Sequence, residues 1–222
     1  MKKPILSTLS VAIAISAMLG SPAAFADEAG MRHYAITITN ITRGQIFAPV
    51  AIIAHNDGYK LFDLGSQASP ELSMLAEEGS ATALLNMASS LPSVYRTAMG
   101  SGVITPGASQ TIEIETSGQF SEISVAAMLV STNDGFMSVR SVHAPRRGDV
   151  MVIAEAYDAG SEANSENCAF IPGPPCGSHV HDPSPAEGYV HTHAGIHGIG
   201  GLAPSTYDWR GGVAQIEIKR ID

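Results

Sequence analysis

Basic residues are scarce in this chain. Its 222 residues include 12 lysines and arginines against 21 aspartates and glutamates, which gives a formal net charge of −9. Nucleic-acid binding needs clustered lysine and arginine to neutralise phosphates, so this balance argues against a nucleic-acid partner. An acidic surface is compatible with divalent cations, and it is also a general route to solubility.

The sequence also lacks the short motifs that mark several enzyme classes. It contains no Gly-x-Ser-x-Gly nucleophile elbow, no glycine-rich phosphate loop ending in Lys-Ser/Thr, and no His-Glu-x-x-His pattern. Catalytic triads assemble from distant residues, so this lack lowers the expectation of an enzyme without removing it. We expect a protein that acts by binding and not by catalysis.

No apolar run reaches the roughly 20 residues that a transmembrane helix needs. The mostly apolar run at residues 6–19 follows Lys2 and Lys3 and precedes the small-x-small sequence of residues 24–26. This order is typical of a cleaved secretory signal. We therefore predict a signal peptide at residues 1–26, and no cysteine lies near its end to accept a lipid anchor.

The predicted mature part, residues 27–222, has the length of a single domain. It is expected to be soluble and exported, either periplasmic or extracellular. Cys168 and Cys176 are the two cysteines of the chain. Because exported proteins meet an oxidising compartment, we expect a disulfide between them, and two free thiols are the alternative.

Apolar and polar residues alternate in several short segments, which is typical of half-buried β-strands. The segments are residues 34–39, 111–115 and 213–218. Two longer, mainly apolar runs, residues 123–130 and 150–156, predict central strands covered on both faces. The predicted fold class is all-β, an antiparallel β-sandwich.

A helical pattern interrupts the strands around residues 69–91. Ser69 is suited to an N-cap, Pro70 to the first helical position, and Leu72 and Leu75 recur at helical spacing. We expect one or two short helices there.

Acidic residues follow the two apolar runs. Asp134 follows the first run, and Asp158 and Glu162 follow the second. If residues 137–149 fold back, these carboxylates converge, and a cation between them would offset their repulsion. Calcium takes about 6–8 oxygen ligands of this kind. The alternative is ordinary turn formation, since Asn-Asp-Gly is a common turn sequence.

Residues 128–136, Met-Leu-Val-Ser-Thr-Asn-Asp-Gly-Phe, are followed by residues 156–162, Ala-Tyr-Asp-Ala-Gly-Ser-Glu. These segments resemble the two hallmark segments of the spondin N-terminal domain, the module of the F-spondin and mindin family. Residues 34–42 and 63–69 also look like segments of that family. The resemblance covers nearly the whole mature chain.

The resemblance implies a C2-like sandwich that binds calcium through acidic loops at one end and has an adhesive role in the extracellular matrix. It matches Asp134 and Asp158 to aspartates of the two hallmark loops, and it places Glu162 where the animal proteins tend to have Asp. Calcium is thus the expected cofactor, and a protein or glycan of the envelope or matrix is the expected partner. The animal module usually has Pro-Asp-Trp where this chain has residues 133–136, so its partners are expected to differ.

The C-terminal region is rich in histidine. The residues of interest are His179, His181, His191, His193 and His197. On a strand, residues two apart face the same way, so each His-x-His pair can direct two imidazoles to one point. Three imidazoles with an open position would suit zinc, iron or copper, and a metalloprotein or metalloenzyme is therefore the alternative function. Packing beside Tyr189 and Trp209 without a metal is a further alternative.

Overall fold

The structure is a computed structural model that describes Met1 and residues 30–222. Apart from Met1, the predicted signal peptide lies outside the described residues. Neighbouring strands pair antiparallel and helices are few, so the predicted all-β class is confirmed. The strands are β1 (Met31–Asn40), β2 (Ala51–His55), β3 (Val94–Met99), β4 (Ser109–Ser117), β5 (Glu122–Met128), β6 (Gly135–His143), β7 (Asp149–Asp158), β8 (His191–Thr192) and β9 (Ala214–Arg220). The helices are α1 (Pro70–Glu78), α2 (Ala81–Ser89) and α3 (Pro204–Tyr207).

The strands form a ladder in the order β3-β2-β5-β6-β7-β9-β1-β4, and β8 pairs with the end of β7. Strand β7 turns this ladder into two layers. Its residues 155–158 pair with β6, whereas its residues 149–154 pair with β9. The two layers therefore share one strand and enclose the main apolar core between them.

Strand β1 shows how alternation builds the core. Tyr34, Ile36 and Ile38 are buried and belong to the main core. On its other face Thr37 and Thr39 form side-chain hydrogen bonds across to β4. The predicted half-buried strand is confirmed.

The prediction that both apolar runs form strands buried on both faces holds for residues 123–130 and is wrong for residues 150–156. Strand β5 is buried along nearly its whole length. In β7, however, Met151 and Ile153 are 55% and 50% exposed. The physical reason is that β5 lies under the helices, whereas the first half of β7 belongs to the layer whose outer face is open to solvent.

The predicted helices are confirmed at α1 and α2. The Ser69 hydroxyl accepts the Leu72 N–H at 3.2 Å, and Pro70 opens α1. Helix α1 is capped at its C-terminal end by Gly79, whose φ of 69° is the left-handed conformation that glycine favours. Leu72 and Leu84 pack the two helices onto the outer face of β2 and β5, which brings the C-terminal end of α1 towards the loops after β7.

A long connection, residues 159–190, joins β7 to β8. It contains the disulfide between Cys168 and Cys176, which confirms the predicted pairing. Ile171 in this connection packs with Ile196 and Leu202 in a small separate apolar cluster. Within the described part of the chain, no helix is long and apolar enough to span a bilayer.

Candidate metal centres

The start of β6 and the end of β7 lie side by side, because Gly135 is the ladder partner of Asp158. The two acidic loops therefore meet, which is the arrangement expected if residues 137–149 fold back. Asp134 and Asp158 are both fully buried. Buried carboxylates need hydrogen bonds or a cation, since a charge without a partner is costly to bury.

Asp134 is held by one of its two oxygens. Its Oδ2 accepts the N–H groups of Ser161 at 2.7 Å and Glu162 at 3.0 Å. Its Oδ1 is buried and has no hydrogen-bond partner. Burial, and then the negative charge of Asp158, raise the pKa of Asp134 to about 8. The side chain is thus fixed in place with one oxygen available to a cation.

Asp158 lies in a similar environment. Its Oδ1 accepts the Gly160 N–H at 2.7 Å and lies 3.4 Å from His191 Nε2. Its Oδ2 accepts Asn164 Nδ2 at 2.5 Å. Burial raises the pKa of Asp158, and the nearby Glu187 adds to that effect.

Asp158, Glu187 and His191 each offer one ligand atom, and these atoms lie within 4.8 Å of one another. We call this group, with the neighbouring Asp134, the loop centre. The charge of Glu187 also raises the pKa of Asp134. Asp158, Glu187 and His191 could thus hold a metal ion, and Asp134 lies beside them without belonging to the set of converging ligand atoms.

Glu162 belongs to a second group. Its Oε1 lies 2.7 Å from His181 Nδ1, and Glu77 Oε2 lies 2.8 Å from the same nitrogen. The three ligand atoms also lie within 4.8 Å of one another. We call Glu77, Glu162 and His181 the α1 centre, because Glu77 lies in the last turn of α1. The predicted set of Asp134, Asp158 and Glu162 therefore does not form one group. Asp158 and Glu162 belong to different groups of converging ligand atoms, and Asp134 belongs to neither.

Burial and hydrogen bonding shift the pKa values of Glu162 and His181 in the α1 centre. Burial raises the pKa of Glu162. The hydrogen bond that His181 Nδ1 donates to Glu162 raises the pKa of His181, and the charges of Glu77 and Glu78 act in the same direction. A cavity of about 250 Å³ opens beside these residues.

The histidines take separate positions. His181 belongs to the α1 centre and His191 to the loop centre, whereas His179 lines the cavity beside the α1 centre. His197 donates its backbone N–H to Glu166 at 2.5 Å. In the described part of the chain, each metal-capable group thus contains one histidine.

His193 is packed in the interior. Its ring centroid lies 5.0 Å from that of Trp209, and its Nδ1 accepts the Gly195 N–H at 3.0 Å. Burial, and then the charges of His191 and His197, lower the pKa of His193 to about 4. Its ring is therefore neutral at physiological pH. Packing beside Trp209 was one of the alternatives for these histidines.

Sequence reasoning missed two acidic residues of the metal-capable groups and gave no role to a third, Glu166. Glu77 and Glu187 join the two centres from distant parts of the chain, and no local spacing indicates either. Glu166 is buried and accepts the N–H groups of His197, Gly198 and Ile199. Its position soon after Glu162 was visible, but the three amides that it binds are brought to it only by the fold.

Together the fold and the two groups define a class of protein, an antiparallel β-sandwich that brings acidic and histidine residues into groups that could hold metal ions. A scan against models of known protein families finds no match to this chain, and a search of curated proteins finds no matching relative. The resemblance to the spondin domain stays a prediction.

Proposed function

We propose that this protein is an exported, calcium-binding β-sandwich that acts as a binding and adhesion module at the cell envelope or in the extracellular matrix. The observation that carries the proposal is the loop centre. Asp134 and Asp158 are fully buried there, and Glu187 adds its charge to both. Among the described residues, no lysine or arginine forms a salt bridge with any of the three.

The chemistry of this group favours a hard cation. Calcium is coordinated by carboxylate, carbonyl and water oxygens in a flexible geometry. The unpartnered Oδ1 of Asp134 is such a donor, and Asp158 and Glu187 add two more carboxylates. A divalent cation would offset the burial and the repulsion from Asp158 that together raise the pKa of Asp134, and it would satisfy the buried oxygen of Asp134.

Calcium at this position would connect three parts of the chain. Asp134 precedes β6, Asp158 ends β7, and Glu187 lies shortly before β8. The ion would therefore hold the loops at this end of the sandwich in one arrangement. A rigid loop surface loses less conformational entropy when it meets a partner, which supports a role in binding. The resemblance to an adhesive module points in the same direction.

The first test is metal content together with thermal stability. Purified mature protein should contain about one calcium ion per chain by elemental mass spectrometry, and its Tm should fall in EDTA and recover when calcium is added. Calcium at 100 times its Kd stabilises a folded protein by about 2.7 kcal/mol. Asp158→Asn should abolish the response. Asp57→Asn is the control, because Asp57 is an exposed aspartate outside the loop centre.

An unchanged calcium response in Asp158→Asn would contradict the proposed site. The adhesion role is tested separately, by binding of labelled protein to envelope fractions of the producing cells and to matrix proteins and glycans. We expect binding in calcium that is lost in EDTA and in Asp158→Asn. Equal binding in all three conditions would contradict a calcium-dependent binding module.

A transition-metal protein or metalloenzyme is the second candidate. The observation that favours it is the histidine in each metal-capable group. Stoichiometric zinc, iron or copper without calcium in the purified protein would support this candidate over the first.

A further inference from the structure

We propose that Glu77, Glu162 and His181 form a second metal site, separate from the loop centre, which binds zinc with one coordination position open to the adjacent cavity. The inference does not depend on calcium binding. It rests on the arrangement of the α1 centre, on one unpartnered buried oxygen, and on the cavity.

The three ligand atoms already converge. His181 Nδ1 lies 2.7 Å from Glu162 Oε1 and 2.8 Å from Glu77 Oε2. Zinc binds imidazole nitrogen and carboxylate oxygen at roughly 2.0–2.2 Å. Small side-chain rotations would thus admit an ion in place of the shared proton. One imidazole and two carboxylates form a mixed donor set, and three protein ligands plus water are the usual arrangement of an open zinc site.

Glu162 supplies the independent observation. Its side chain is 4% exposed, and its Oε2 is buried without a hydrogen-bond partner. Glu162 also lines the cavity. A buried carboxylate oxygen without a partner lowers stability by about 1–3 kcal/mol or more. A bound metal ion would satisfy this oxygen.

The ligands are held by different parts of the fold. Glu77 lies on α1, which is capped at its start by Ser69. The backbone of Glu162 is fixed because its N–H binds Asp134 Oδ2 at 3.0 Å. His181 lies in the connection between β7 and β8, downstream of the disulfide. Zinc would therefore fasten this connection to α1.

The cavity gives the metal an open side. Its volume of about 250 Å³ exceeds the approximately 30 Å³ that one water molecule occupies in the liquid. Its wall combines the two acidic ligands with apolar Phe170 and Pro172, and with His179. The open position therefore has room for a water molecule and for a small oxygen-donor ligand in its place.

The test is zinc affinity, measured by competition between the mature protein and a chromogenic chelator, with zinc alone as the probe. Glu77→Gln and His181→Gln should each weaken the tightest site at least tenfold, because each removes a ligand. Glu71→Gln, on the same helix, and His191→Gln, in the loop centre, are the matched controls and should stay within twofold of wild type. Circular dichroism confirms that each variant is folded.

Wild-type affinity in Glu77→Gln and His181→Gln would overturn the proposal, and so would a loss confined to His191→Gln. A second measurement needs no variant. X-ray absorption at the zinc edge of the wild-type protein, loaded with one equivalent of zinc, should show one imidazole among oxygen neighbours. A spectrum with three or more imidazoles would overturn the proposal and place the zinc among the other histidines.

Discussion

The loop centre makes an unusual prediction for the metal-free protein, which is that replacing the buried carboxyl group of Asp134 with a neutral amide should stabilise it. Asparagine at position 134 has nearly the same shape as a protonated aspartate. Its oxygen can still accept an N–H from Ser161 or Glu162, as Asp134 Oδ2 does. Its amide would take the place of Oδ1, which has no partner, and could donate to the neighbouring carboxylates.

The magnitude follows from the pKa of Asp134, which rises from 3.8 to about 8. A group whose pKa is higher in the folded state contributes stability that is fully present below its unfolded pKa and is lost as the pH rises towards its folded pKa. The wild-type protein loses about 1.4 kcal/mol of unfolding free energy for each pH unit above the unfolded pKa of Asp134. Since pH 7 lies about three units above that pKa, the loss is at most about 4 kcal/mol. We expect Asp134→Asn in EDTA at pH 7 to unfold with a free energy higher than wild type by between about 1 and 4 kcal/mol.

The assay is urea unfolding followed by circular dichroism, in EDTA, at pH 5 and pH 7. The wild type should lose stability between these values relative to Asp134→Asn, and Asp57→Asn should follow the wild type. In added calcium the order should reverse, because the variant has lost a ligand. An Asp134→Asn protein that is less stable than wild type in EDTA at pH 7 would refute the reasoning.

Three further predictions concern other parts of the molecule. His55 is buried, and burial lowers its pKa from 6.5. As the pH falls, the unfolded chain therefore takes up a proton at this histidine at a higher pH than the folded protein does, so the free energy of unfolding should fall below pH 6.5. His55→Gln should make this pH dependence weaker in urea unfolding at pH 5–7. Glu166→Gln should lower the free energy of unfolding by about 1–3 kcal/mol and speed proteolysis of residues 193–200. The reason is that the variant loses a charged side chain that accepts several backbone N–H groups. Leu84→Ala should cost about 2–5 kcal/mol in the same unfolding assay, since Leu84 is fully buried, and a loss below 1 kcal/mol would contradict its packing.

The strands that alternate and the capped helix were predictable because their signals are local. Residues 34–39 and 111–115 each present one apolar face, and Ser69 with Pro70 marks the start of α1. Strand β2, by contrast, is buried along its whole length. Its short apolar sequence has no alternation, so only its place between β3 and β5 distinguishes it from other buried segments.

The sequence by itself determined that acidic residues lie soon after two apolar runs, because Asp134 and Asp158 follow residues 123–130 and 150–156 along the chain. Only the tertiary structure decided how these acids are grouped. After β7 the chain turns so that the N–H of Glu162 binds Asp134, while its side chain points to His181 and Glu77. Asp158 keeps Glu187 and His191 instead. The physical reason is that a metal site needs ligand atoms within a few ångströms, and residues far apart in sequence reach that distance only through the packing of helix, loop and strand.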